Sequence, residues 1–149
     1  MKKYFFMLFL LVSCFEDNRS PEAALKSFID ERMGSIVSRE EMLEKVTGKM
    51  RQSLENISDE DFQKFADLKS VSRESFKILS KSCQNEKCFL TYSMTYKSTT
   101  PDQAKFSTEV KKIAELQNVE GKWLISDVSN IKTYHEALSP IDALGDQAQ

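Results

Sequence analysis

The hydrophobic period of this chain changes once, near Ser72, and that change limits its folds more than any other feature. Upstream, apolar residues recur at helical spacing; downstream they alternate with polar ones, as along a half-buried strand. Helical runs followed by strand runs specify an α+β domain with an antiparallel sheet.

Three helix starts precede the switch. Ser20-Pro21-Glu22 offers an N-cap, a proline at the first helical position and an acid at the positive end of the dipole, and Leu25, Phe28 and Ile29 then share a face up to Gly34. Ser38-Arg39-Glu40-Glu41 is a capping box, followed by Met42, Val46, Met50 and Leu54 at helical spacing through Gly48. Ser58-Asp59-Glu60-Asp61 opens the third, leading to Phe62, Phe65 and Ala66. Asp59-Glu60-Asp61 is therefore a helix start rather than a metal cluster. Thr47-Gly48-Lys49 lacks the upstream Gly and the following Ser/Thr of a phosphate loop.

After Ser72, Phe76 and Ile78 alternate with Lys77, and Cys88, Leu90, Tyr92, Met94 and Tyr96 alternate with polar neighbours. Residues 106–119 fit either period. Glu120-Gly121 reads as a tight turn leading to the β-rich run Trp123–Val128, so residues 106–119 are expected to be a strand of that hairpin. A two-residue loop pairs Leu116 with Ile125, Ala114 with Asp127 and Val110 with Ile131 on one face, and Ile113 with Val128 on the other. Cys83 and Cys88 flank a hairpin tip, so a disulfide is expected, although so close a pair can also stay reduced. Placing them opposite each other sets Phe76 and Ile78 against polar residues of the next strand, so the first strand should carry an irregularity.

The first fourteen residues, MKKYFFMLFLLVSC, have their own composition: two lysines, no acid and an apolar run from Tyr4 to Val12. That run suits an export signal and is far short of the ~20 residues that span a bilayer. Leu11-Val12-Ser13-Cys14 resembles the bacterial lipobox, whose Cys is acylated and becomes the mature N-terminus. The resemblance implies a signal peptide over residues 1–13 and covalent lipid (palmitate and related chains) on Cys14. At ~0.8 kcal/mol per buried CH₂, two or three such chains anchor stably. Residues 14–19 then form a tether of at most ~20 Å. Phe15, in place of the Asp that favours inner-membrane retention, points to the outer membrane of a bacterial envelope. The whole chain has 21 basic and 23 acidic residues, and removing the signal leaves 19 against 23. With no Lys/Arg block, nucleic acid is not an expected partner. The residues after His135, 136–149, lack periodicity and are expected to be a disordered tail.

The opening Ser20-Pro21-Glu22-Ala23-Ala24-Leu25-Lys26-Ser27-Phe28 and the final hairpin Glu120-Gly121-Lys122-Trp123-Leu124-Ile125-Ser126-Asp127-Val128 resemble small bacterial lipoproteins with a nuclear transport factor 2-like, or cystatin-like, cone. The resemblance implies a single domain over residues 20–135, with three N-terminal helices packed on a curved antiparallel sheet of about four strands. Related enzymes place Asp and His groups in the mouth of the cone. The expected hairpin register also puts Asp127 on the face of Trp123, Ile125 and Ile131, with Tyr92 and Tyr96 inward on the neighbouring strand. Asp127, Tyr92, Tyr96 and Trp123 are therefore the candidate pocket residues, with His135 after the last strand.

No nucleophile, base and orienting group stand together in the sequence, and a single His excludes a polyhistidine metal site. The expected function is a membrane-anchored, non-enzymatic binding or interaction module. It would need no cofactor or metal and would meet the membrane through its lipid and an envelope protein as partner. The competing reading is a small-molecule or enzymatic pocket around Asp127.

Overall fold

The structure is a computed structural model that describes residues 19–34, 37–66, 68, 70–99 and 106–137. Four helices precede four strands: α1 (Pro21–Gly34), α2 (Arg39–Leu43), α3 (Gly48–Asn56) and α4 (Asp59–Ala66), then β1 (Val71–Gln84), β2 (Lys87–Ser98), β3 (Phe106–Val119) and β4 (Lys122–Ala137). The sheet is an antiparallel meander in the order β1-β2-β3-β4. The α+β class and the switch near residue 72 therefore hold. The layer of three N-terminal helices on a cone-forming sheet does not: the helical half is four short helices, and the second expected helix is broken in two.

The break has a tertiary cause. Ser38 caps α2 as the sequence indicates, accepting from the Glu41 amide at 3.2 Å while the Glu41 carboxylate accepts from the Ser38 amide at 2.9 Å. After Leu43 the chain leaves the helix and lies along the free edge of β4. There the Thr47 amide donates to the Ile125 carbonyl at 2.8 Å, and the Ile125 amide donates to Lys45 at 3.0 Å. Lys45 and Thr47 thereby satisfy edge groups of Ile125 that would otherwise stay unpaired, and Val46 between them is fully buried. Gly48 restarts the helix with φ +52°, and a Cβ there would meet the Ser126 Cβ at 3.4 Å.

β2 and β3 pair without interruption, whereas both edge strands carry bulges. β1 has extra residues at Glu74 and Leu79, and β4 at Ser126 and Ile131. The bulge at Leu79 is the irregularity expected in the first strand. It lets Cys83 oppose Cys88 while Ile78 opposes Tyr92 and Phe76 opposes Met94. The two cysteines are joined, with Cα atoms 4.1 Å apart. Leu79 and Ile131, two of the exposed large apolar side chains, are themselves bulge residues that twist the edges.

In the last hairpin Glu120 and Gly121 both have positive φ, 52° and 85°, as a two-residue turn requires. Leu116 pairs with Ile125 as expected. Beyond that point the expected register fails. The Ser126 bulge puts Asp127 opposite Glu115 and Val128 opposite Ala114, and the Ile131 bulge puts Thr133 opposite Val110. Ser126 is buried in its bulge and donates to the Glu115 carbonyl at 3.1 Å.

Residues directly opposed across a ladder share a face. One face therefore carries Cys88, Leu90, Ala114, Leu116 and Ile125, all 1% exposed or less, which pack with Leu25, Phe28, Ile29, Met42, Leu54 and Phe62 from the helices in one core. This is the inner face. Arg39 ties the helices together by donating to the carbonyls of Leu54 and Ile57, both at 3.0 Å, and to the Asp59 carboxylate at 2.8 Å. Residues 1–18, with the lipobox and Cys14, and residues 138–149 of the expected tail lie outside the described residues, while Glu136 and Ala137 belong to β4.

Candidate functional site

Along β3 the inner positions read Leu116, Ala114, Lys112, Val110 and Thr108. A lysine in the middle of that series is the least expected residue on the face. It is partly buried, its ladder partner on β2 is Tyr92, and no hydrogen bond or ion pair to its amine is found among the described residues. Tyr92 is 4% exposed, with its ring 5.6 Å from that of Phe76. The last turn of α1 brings Arg32 over the same place. Its guanidinium lies 3.9 Å above the Phe65 ring and donates from Nη2 to the Phe65 carbonyl at 2.9 Å, while its buried Nε has no acceptor.

The three groups act on one another. Burial pushes the Lys112 amine below the usual lysine range, and the nearby Arg32 charge adds to that. Burial pushes the Tyr92 hydroxyl up to about 12, against a smaller opposing pull from Arg32. Arg32 itself is lowered by burial. Over the physiological range the site therefore presents two cations and one neutral hydroxyl, with aromatic rings on its helical side. Such an arrangement can hold negative charge; it contains no carboxylate or imidazole to act as a base.

The expected pocket residues are not brought together. Tyr92 and Tyr96 share the inner face of β2, where Tyr96 opposes Arg73 and Thr108. Arg73 is itself ion-paired to Asp30 of α1. Trp123 packs at the other end of the same face, against the core. Asp127 is on the opposite face, opposed to Glu115, because the Ser126 bulge reverses the alternation that would have aligned it with Trp123 and Ile125. Its Oδ2 accepts from Lys49 at 3.1 Å and its Oδ1 from the Val128 amide at 2.8 Å. His135 lies on β4, its Nδ1 3.0 Å from the Thr108 hydroxyl. Among the described residues no group of three His, Cys, Asp or Glu side chains could hold a metal, and no helix is long and apolar enough to cross a membrane.

Arg32 and Lys112 were not singled out from sequence, although both left a signal. Arg32 is four residues after Phe28 and three after Ile29, on the buried stripe of α1, and Lys112 interrupts the alternation of Val110, Ala114 and Leu116.

No protein-family model matches this chain, and no curated protein does. Among solved structures it is similar to the solution structure of a SEC-C motif containing protein from Rhodopseudomonas palustris, with a TM-score of 0.56 at 13% identity over 77% of this chain and 81% of that one. At that identity the likeness is one of fold. The neighbour is a SEC-C motif containing protein, and the likeness gives no support to a nuclear transport factor 2-like domain in particular. The correction to the expected layer of three N-terminal helices is the four short helices themselves.

Proposed function

We propose that this chain is a bacterial envelope lipoprotein, anchored through lipid on Cys14, whose α+β domain works as a non-enzymatic binding module. The observation that carries the binding reading is the pair of half-buried cations, Arg32 and Lys112, beside the neutral Tyr92. That group can hold a partner through charge and hydrogen bonds. The anchor rests on the register of Lys2-Lys3, the apolar run and Leu11-Val12-Ser13-Cys14, and it needs no cofactor beyond the covalent lipid. Phe15 after the lipid Cys supports the outer membrane, and an envelope protein is the partner class that a tether of residues 14–19 would keep in reach.

Detergent phase partition of the full chain made in a bacterium with the lipoprotein pathway tests the anchor. Wild-type protein is expected in the detergent phase, with the mass of acyl chains on its N-terminal peptide, and Cys14→Ser in the aqueous phase. A Cys14→Ser protein that still partitions with detergent would refute lipid attachment.

A further inference from the structure

This chain pairs its lysines freely: Lys26 with Asp30, Lys45 with Glu31, Lys81 with Glu22 and Lys49 with Asp127, at 2.5 to 3.1 Å. It has 23 acids to do so. Yet Arg32 and Lys112, the two cations that the fold desolvates beside each other, have no carboxylate partner among the described residues. Burying uncompensated charge costs stability, and a leucine at 112 would have continued the core. Both residues keep partial exposure, so the cluster remains open to a ligand. An anion supplied from outside would compensate both cations.

The geometry points to a phosphoryl-binding site formed by Arg32, Lys112 and Tyr92. The guanidinium and the ammonium supply two positive charges, which a phosphate dianion neutralises and a single carboxylate does not. Tyr92, opposed to Lys112 on the next strand, supplies a hydroxyl donor. The aromatic rings of Phe65 and Phe76 hold Arg32 and Tyr92 in place before the ligand arrives. A soluble phosphomonoester and a phosphatidic acid headgroup share this chemistry. The assignment names the ligand class for the binding reading above and rests on it, but not on the lipid anchor.

Calorimetric titration of the full-length, detergent-solubilised protein with inorganic phosphate at fixed ionic strength tests it. Saturable binding is expected, weakened about tenfold or more in Lys112→Met, which keeps the side-chain stem and removes the charge. In the wild-type protein the side-chain amine resonance of Lys112 should move as phosphate is added, so the assignment does not depend on the variant folding. Short-chain phosphatidic acid competing more strongly than phosphate identifies a lipid source, and equal competition a soluble phosphomonoester. No saturable phosphate binding, a stationary Lys112 resonance, equal affinity in Lys112→Met, or tighter binding of acetate overturns it. A chain that ignores phosphate but cross-links specifically to an envelope protein would overturn the phosphoryl site and leave the binding reading standing.

Discussion

The two halves of the inner face of the sheet are built from the same strands and serve opposite ends. Toward the hairpin tips, Cys88, Leu90, Ala114, Leu116 and Ile125 are closed over by the helices. Two residues further along β3 the same face turns to Lys112, with Tyr92 beside it, Arg32 above it and the Thr108–His135 contact beyond. The first half contributes the burial that makes the domain stable, roughly 1.5–3 kcal/mol for each fully buried aliphatic side chain. The second gives up part of that contribution by desolvating charge. A sheet whose register is fixed at one end can carry an energetically poor, chemically useful surface at the other.

Truncation at matched positions should break this comparison if it is wrong. Leu116→Ala removes a fully buried side chain from the closed half and is expected to cost about 2–5 kcal/mol in urea unfolding. Lys112→Met, four residues away on the same strand and face, should cost under about 1.5 kcal/mol or stabilise, because it replaces an uncompensated cation with an apolar chain of similar volume. Equal losses at the two positions would mean that Lys112 is a structural member of the core after all.

Tyr92 stands on the boundary, and its hydroxyl offers a second test. With its pKa pushed up to about 12 by burial, the folded chain keeps the phenolic proton above pH 10, where the unfolded chain releases it. The native state then binds more protons than the unfolded one, so this stability is complete below about pH 10 and is lost as pH rises towards 12. The loss should reach about 2–3 kcal/mol and vanish in Tyr92→Phe. Lys112 acts with the opposite sign. Its lowered folded-state pKa makes stability rise with pH between that value and the ordinary 10.5. Ultraviolet titration of tyrosinate checks the point directly, and a Tyr92 that ionises at the ordinary pH would remove the desolvated half of the comparison.

What could be read from the sequence was whatever local chemistry settles alone. The Ser38–Glu41 capping box, the Glu120-Gly121 turn and the helix starts at Ser20 and Ser58 were all legible for that reason. The β1 irregularity was legible because two constraints conflicted, Cys83 opposite Cys88 and Ile78 opposite Tyr92, and one extra residue at Leu79 satisfies both. The break at Val46 was not. Val46 and Met50 keep helical spacing, and only the hydrogen bonds to Ile125 draw residues 45–47 out of the helix. The Ser126 bulge left no mark on the alternation either, since it depends on Ser126 bonding to Glu115 and on Gly48 lying close by. Of the candidate site, Tyr92 was visible in the strand pattern, while Arg32 and Lys112 gain their meaning only when α1 packs against the sheet.

The smallest expected effect concerns the residue that this bulge displaced. Asp127 meets Lys49 in a half-exposed ion pair on the outer face, and pairs of that kind contribute about 0–1 kcal/mol. Its second oxygen bonds the amide of the adjacent Val128, a local contact that an asparagine oxygen can keep. Asp127→Asn should therefore change the unfolding free energy measured in urea by less than about 1 kcal/mol and leave phosphate binding at the inner face unchanged. If this substitution weakened phosphate binding as Lys112→Met is expected to, the two faces of β4 would be coupled through the Ser126 bulge. The division of labour along the inner face would then extend across the sheet.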